Sequence, residues 1–398
     1  MSHGTKRAFA VSDTMWMSVM DSPVAAPPAA KPYKVLICDD QPDVLEALRL
    51  LLKGQGWLAV TADSPAALLR TARTGGFYLI LAYLNYTRDT TSGQEGMDML
   101  ASLEEQGNTA PVVVMTAWGN VDLAVEAMRR GACDFVQKPW DNNRLLATIR
   151  KQAEPERRRH SELEIAANVQ QKMFPRKLRR LDSLDYAGHC VPAREVGGDY
   201  YDFLEASERA IGFVLADVSG KGVPAALLMA NLQACFRSQS PEALQRPSGM
   251  LHIVNKHFYE STTAERFATL FFGLYDDRTR KMLYVNCGHC PPFLLRANGE
   301  IDRLGPTATP LGAFADWKCR EAEAELRVGD TLLLYSDGVT EAGIEGVEEF
   351  GEERLAHALR VNQWQPAEAL VQAIVDDVAN FSAGSRSDDV TVVGLRGI

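Results

Sequence analysis

The run Ile211-Gly212-Phe213-Val214-Leu215-Ala216-Asp217 constrains this chain more than any other stretch. It is an apolar segment of strand length that ends on an aspartate, and Ser219-Gly220-Lys221-Gly222 then turns the chain into Val223-Pro224-Ala225-Ala226-Leu227-Leu228-Met229. That last segment reads as a helix with proline in its first turn, where the missing N–H costs least. A carboxylate emerging from a buried strand into a glycine turn can hold a hard cation, and the glycines let backbone carbonyls approach the same ion. Taken alone, the same pattern also serves as an ordinary capped turn.

Three more aspartates share this setting. Asp199 follows the pair Gly197-Gly198, Asp337 follows the apolar strand Thr331–Tyr335 and Ser336, and Asp388 with Asp389 opens the strand Val390-Thr391-Val392-Val393. Four acidic positions at strand ends or glycine turns can converge on one edge of a β-sandwich. Such a carboxylate and carbonyl cluster suits paired magnesium or manganese ions, which clamp a phosphoryl group and acidify a bridging water.

Residues from about Glu164 to the C-terminus resemble the PPM-type (SpoIIE-like) serine/threonine phosphatases of bacterial partner-switching systems. The matching stretches are Ala193-Arg194-Glu195-Val196-Gly197-Gly198-Asp199, Ala216-Asp217-Val218-Ser219-Gly220-Lys221-Gly222, Phe267-Ala268-Thr269-Leu270-Phe271, Asn286-Cys287-Gly288-His289, Ser336-Asp337-Gly338-Val339 and Ser387-Asp388-Asp389-Val390-Thr391, in the family's order. The resemblance implies a centre of two Mn²⁺ or Mg²⁺ ions held by Asp199, Asp217 with the Val218 carbonyl, Asp337 and Asp388. A metal-bridging hydroxide would attack a phosphoserine or phosphothreonine. Asp202 and Asp389 are candidates to orient metal-bound waters. Lys221 either screens substrate phosphate or caps its turn, and His289 is a turn-stabilising residue before it is a general acid. The expected fold is an α+β sandwich flanked by helices at 224–239, 241–261, 354–360 and 366–380.

The 398 residues allow two or three domains, and an apolar content of 46% supports real cores. A net charge of −10 argues against a nucleic-acid surface. The seven cysteines form no complete zinc-ligand set, since the C-x2-C of Cys287 and Cys290 has no second pair, as for buried free thiols in a reducing cytosol. No apolar run reaches the roughly 20 residues of a membrane helix, and the N-terminus lacks a signal pattern, so a cytoplasmic protein is expected.

Residues 1–32 read as a flexible leader, ending in Ala25-Ala26-Pro27-Pro28-Ala29-Ala30. Residues 33–151 then alternate five apolar strands with helices, the pattern of a doubly wound α/β domain whose functional site lies beyond the strand C-termini. This segment resembles the response-regulator receiver fold. Asp39 and Asp40 match its acidic magnesium pair, Thr116 its switch hydroxyl, and Lys138-Pro139 its lysine and commonly cis peptide. At the phosphoacceptor position stands Tyr83, which cannot form an acyl phosphate and removes one of three carboxylates around the magnesium. Magnesium binding there is accordingly doubtful, and Asp89, several residues further on, is poorly placed to substitute. The reading is a degenerate receiver used for docking or dimer geometry.

Residues 152–180 read as a helical linker, with Pro155 interrupting the helix and Pro175 ending it. Leu163, Ala166, Val169 and Met173 recur at coiled-coil-like spacing, a stripe that calls for packing on residues 181–398 or on a second copy. The basic run Arg157-Arg158-Arg159 is a solvated face rather than a nucleic-acid patch.

Together these features point to a metal-dependent phosphoprotein phosphatase with a receiver-like regulatory domain, a linker-mediated homodimer without nucleic-acid or membrane partners. Family resemblance points to a phosphorylated anti-sigma-factor antagonist as substrate. The alternative is a non-catalytic binding module that grips its partner without turnover. A receiver-gated transcription factor would need a basic helix-turn-helix segment, and the sequence contains none.

Overall fold

Five short apolar strands with helices between them bury both faces of a parallel sheet, and the N-terminal part of the chain folds this way. The computed structural model describes residues 33–85, 94–117, 121–176, 178–263, 265–344, 348–383 and 387–398; the leader 1–32 and Asp89 lie outside them. The chain divides into two units between Arg159 and His160.

The first unit runs β1 (Tyr33–Cys38), α1 (Pro42–Lys53), β2 (Trp57–Ala62), α2 (Pro65–Ala72), β3 (Leu79–Tyr83), α3 (Gln94–Glu105), β4 (Val112–Thr116), α4 (Val121–Arg129), β5 (Asp134–Gln137) and α5 (Asn142–Gln170). Its sheet is parallel, in the order β2-β1-β3-β4-β5. Alternate residues of β1 enter opposite cores: Val35 and Ile37 pack with Leu48, Leu52, Leu145 and Ile149, while Leu36 and Cys38 pack with Leu68, Leu100 and Leu103. This is the period-two alternation of a strand covered on both sides.

α5 corrects the expectation for the linker. It runs 29 residues with Pro155 inside it, so the boundary drawn at Lys151 falls within one helix. An interior proline costs about 3 kcal/mol. Here Lys151, whose carbonyl loses its partner, is exposed like Pro155 itself, so that carbonyl can be hydrated. Ion pairs of Glu154 with Arg157 and Arg158, and of Glu156 with Arg159, span the following turn. Pro175 does lie beyond the helix end, as expected.

The second unit continues with β6 (Leu184–Val191), β7 (Tyr200–Ser207), β8 (Ala210–Val218), α6 (Val223–Arg237), α7 (Pro241–Leu244), α8 (Pro247–Ser261), β9 (Ala268–Asp276), β10 (Lys281–Cys287), β11 (Phe293–Leu295), β12 (Ile301–Arg303), β13 (Ala322–Glu325), β14 (Thr331–Tyr335), α9 (Asp337–Thr340), β15 (Gly343–Ile344), β16 (Glu348–Glu349), α10 (Gly351–Val361), α11 (Ala367–Phe381) and β17 (Val390–Gly397). The helix expected over 241–261 is two, because Pro247 starts a new one. Two antiparallel sheets, β13-β10-β9-β8-β7 and β12-β11-β14-β17-β6, form the sandwich. Phe213, Leu215 and Phe271 of one meet Leu332, Leu334, Val393 and Leu395 of the other. The outer face of the first sheet packs on α6 and α8, through Val214, Ala216, Met229, Leu232 and Val254. The outer face of the second packs on α10 and α11, through Leu333, Tyr335, Leu355, Leu370 and Ile374.

Candidate active site

Strand alternation decides which aspartates meet. In β8, Ile211, Phe213 and Leu215 face the opposite sheet, so Asp217, two residues further, leaves on that same inner side. In β7, Tyr201 and Phe203 face inward, which puts Asp199 just before the strand on the inner side too. In β17, Val393 and Leu395 face inward, and Thr391 and Asp389 share their parity. β8 and β14 end, and β7 and β17 begin, at one end of the sandwich. Alternation thus brings Asp199, Asp217 and Asp389 to the inner side at that end, while Asp337 and Asp388, just after β14 and just before β17, reach it from the adjoining turns, close enough for their charges to act on Asp217.

Their electrostatics show the crowding. The Asp199 carboxyl is held well above the ordinary range, first by burial and then by Asp217 and Asp389. Asp217 is pushed up to about 7 by burial and by the charges of Asp337, Asp388 and Asp389. Asp337 is raised by burial and by Asp388. Thr391 Oγ1 donates to Asp199 Oδ2 at 2.5 Å. Lys221 Nζ lies 2.8 Å from Asp388 Oδ2 and 2.7 Å from the Ser387 carbonyl, so the glycine turn is tied to the 387–388 turn rather than merely capped.

The residues fit a hard divalent cation. All are oxygen donors, and a Cβ placed on Gly198 would lie only 2.8 Å from the Val218 carbonyl oxygen, so the turn before Asp199 closes against that carbonyl. Among the described residues no three acidic, histidine or cysteine side chains form a closed metal cage.

Asp389 and Asp202 differ from the expectation that they orient metal waters. Asp389 Oδ1 accepts from the Ala193 N–H at 2.7 Å, and its Oδ2 accepts from the N–H groups of Gly198 at 2.7 Å and Asp199 at 3.3 Å. It therefore fixes the backbone of the turn that presents Asp199. Asp202 is on the outer face of β7, with Tyr200 and Leu204. There it takes a two-pronged ion pair from Arg237, with both contacts at 2.6 Å, and the Tyr200 hydroxyl at 2.7 Å. Asp202 is three positions after Asp199, and an odd step along extended backbone places them on opposite faces.

His289 is buried, its backbone N–H donates to Asn286 Oδ1 at 2.8 Å, and its Nδ1 lies 3.0 Å from Thr269 Oγ1. Burial lowers it to about 4, so it is neutral near pH 7 and holds its turn rather than donating a proton. Three contributors were not among the expected site residues, although Thr391 stands within a matched stretch. Thr391 holds Asp199, Arg237 neutralises Asp202, and Arg266 donates to the Ser219 carbonyl at 2.7 Å to brace the glycine turn.

In the first unit the structure brings Asp39, Tyr83 and Lys138 together. Lys138 Nζ is 2.6 Å from Asp39 Oδ2 and 3.7 Å from the centre of the Tyr83 ring. Asp39 Oδ1 accepts from the Gln41 N–H at 3.1 Å, and the Lys138 N–H donates to the Thr116 carbonyl at 2.8 Å. Burial raises the Asp39 carboxyl against the pull of Lys138, and burial with the charges of Asp40 and Asp39 raises the Tyr83 phenol. The Lys138-Pro139 peptide is cis.

The comparisons with known proteins agree with both halves. Residues 207–397 match the family described as Stage II sporulation protein E (SpoIIE), and residues 35–150 match the response regulator receiver domain. Phosphoserine phosphatase RsbU of Bacillus subtilis is 33% identical over 238 residues, which are 59% of this chain and 70% of that protein. Protein IcfG of Synechocystis is 27% identical over 59% of this chain, and phosphoserine phosphatase RsbP of Bacillus subtilis is 26% identical over 45% of it. The chain spans less than half the length of those two, 41% and 45%. The SiaA PP2C domain of Pseudomonas aeruginosa shares the fold, with a TM-score of 0.54 at 24% identity over 62% of this chain and 99% of that one. Among the described residues no helix is long and apolar enough to cross a membrane. The chain belongs to the SpoIIE-type branch of the PPM protein phosphatases and carries a response-regulator receiver domain ahead of the phosphatase domain.

Proposed function

We propose that the second unit hydrolyses phosphoserine or phosphothreonine on a partner protein with two Mn²⁺ or Mg²⁺ ions held by Asp199, Asp217 with the Val218 carbonyl, Asp337 and Asp388. The observation that carries this reading is the convergence of the four carboxylates, with Asp217 raised to about 7, at one end of the sandwich. Bound divalent ions supply an acidified water and charge neutralisation for the phosphoryl group. The chain's own residues do the rest. Thr391 orients Asp199, Asp389 fixes the turn before it, and Arg266 braces the turn after Asp217. Lys221, 47% exposed at its side chain, presents a positive charge that an incoming phosphate can meet.

RsbU and RsbP are named phosphoserine phosphatases, which supports a phosphoserine protein as substrate; the target we propose is the one the family resemblance implies, a phosphorylated anti-sigma-factor antagonist in the cytoplasm. Capture of partners from the native cell by the Asp217→Asn variant, followed by phosphosite mapping, tests this. An enriched phosphoprotein dephosphorylated by the wild type supports the target class, and enrichment of unphosphorylated partners only refutes it.

The linker, residues 152–180, belongs to the same proposal. Val169 and Ala166 lie on the exposed side of α5, whereas Leu163 and Met173 are half-buried, so the stripe read from the sequence divides between two faces. The exposed side is the part left for a second copy. Val169→Glu is expected to shift the sedimentation coefficient, the phosphatase rate, or both. Identical sedimentation and rate would remove the linker from the mechanism.

The receiver pocket is proposed to work without phosphorylation. Tyr83 is a protonated phenol at neutral pH, and Lys138 is already committed to Asp39. Acetyl phosphate with magnesium is expected to leave no base-labile adduct and an unchanged phosphatase rate. Tyr83→Asp, which restores a carboxylate in the same surroundings, is expected to accept label. Labelling of the unaltered protein at Asp39 or Asp40 would refute the assignment.

A further inference from the structure

α5 ends on Gln170, and this side chain is buried although Val169 beside it and Ile165, five residues earlier, are 51% and 61% exposed. Its amide pairs with both backbone groups of one residue: Nε2 donates to the Gly197 carbonyl at 2.8 Å, and Oε1 accepts from the Gly197 N–H at 3.0 Å. The same Nε2 also lies 3.8 Å from Met229 Sδ of α6, the helix that follows the glycine turn after Asp217. Gly197 is two residues before Asp199. Its other side is closed by Asp389, since a Cβ on Gly197 would lie 2.2 Å from Asp389 Oδ2. Asp389 takes the N–H groups of Gly198 and Asp199, so the three successive N–H groups from 197 to 199 are all held, the first of them by α5.

We propose that Gln170 is the positioning residue through which α5 sets the metal affinity of the Asp199 turn. The geometry makes the coupling steep. A helix rises about 1.5 Å per residue and turns about 100°. A slide of α5 by one residue displaces the amide by about half the length of contacts of 2.8 and 3.0 Å, enough to lengthen and misalign both, and a rotation by one residue swings the amide off Gly197. Either movement releases the turn that presents Asp199 and leaves the N–H and carbonyl of Gly197 buried without their partner. A glutamine suits this task because its amide carries a donor and an acceptor side by side, matching the two groups of a single peptide residue. The inference rests on the reading of Asp199 as a metal ligand and adds to it the route by which the linker would act.

Gln170→Met keeps the volume and removes both hydrogen bonds, and Gln170→Ala is the second variant in case methionine repacks. Each is compared with the wild type as full-length, metal-free protein titrated with Mn²⁺ by calorimetry, with amide hydrogen exchange read over 195–199. The expected result is Mn²⁺ affinity weaker by about tenfold or more, the usual scale for loss of a group that orients a ligand, together with faster exchange at 197–199. Phosphatase rate at saturating Mn²⁺ should recover to within a few-fold of the wild type. Unchanged Mn²⁺ affinity would overturn the proposal, whether or not the melting temperature falls. Rate loss that saturating Mn²⁺ fails to restore would overturn it too. If the wild type releases no phosphate from any phosphoprotein, the phosphatase reading fails, while affinity and exchange still report on Gln170.

Discussion

Replacing Asp217 by asparagine is expected to lower phosphate release on the order of a thousandfold or more, because groups that act as one unit fail together when one is removed. Asp337→Asn is expected to do the same. Neither should unfold the protein. Asp217 stands among the charges of Asp337, Asp388 and Asp389, so neutralising it relieves repulsion in the metal-free state. The sign can be followed through pH. The folded-state value of about 7 lies above the ordinary 3.8, so between these values the metal-free folded protein holds a proton that the unfolded chain has lost. This contribution to stability is complete below about pH 4 and disappears as pH rises through 7. A metal-free melting series should therefore fall with rising pH in that window for the wild type, and fall less steeply for Asp217→Asn. A variant that keeps wild-type turnover would contradict the metal assignment.

The largest stability effect is expected from Arg237→Ala. Asp202 is fully buried and its two oxygens take Arg237 at 2.6 Å each. Removing the guanidinium leaves a buried carboxylate with the Tyr200 hydroxyl and the Phe203 N–H as its remaining partners. Breaking such a pair from one side costs about 3–5 kcal/mol in a buried setting. The Arg237 side chain is 46% exposed, so about 3 kcal/mol is the appropriate expectation. The double variant Arg237→Ala, Asp202→Asn removes the stranded charge and should recover part of the loss. Thermal or urea unfolding of the three proteins decides this. A double variant no more stable than Arg237→Ala alone would show that packing of the arginine stem, rather than charge, holds β7 to α6.

How much of this was legible depended on whether the information was local. β8 carries an apolar run that ends on Asp217, and β14 one followed by Ser336 and Asp337, so both strands and both candidate ligands are legible directly. β7 is harder to read, because Tyr200-Tyr201-Asp202 runs straight on from the Gly197-Gly198-Asp199 turn. The alternation of Tyr201 and Phe203 against Tyr200 and Leu204 held the signal that Asp202 points the other way. Pro155 was read as a helix end by its chemistry, but its exposure and the ion pairs around it let α5 continue. Gln170 had no readable role. Its partner is 27 residues away along the chain, and a glutamine on a polar helix announces nothing until the turn at Gly197 folds against it.

The most direct test of the central claim is phosphate release from a phosphoserine protein substrate, measured with Mn²⁺, with Mn²⁺ and excess chelator, and with Asp217→Asn in place of the wild type. Release by the wild type that the chelator abolishes and the variant lacks is the predicted result. Release that persists under chelation or in the variant would contradict the carboxylate metal centre, and no release under any condition would leave the domain a binding module that grips its partner without turnover.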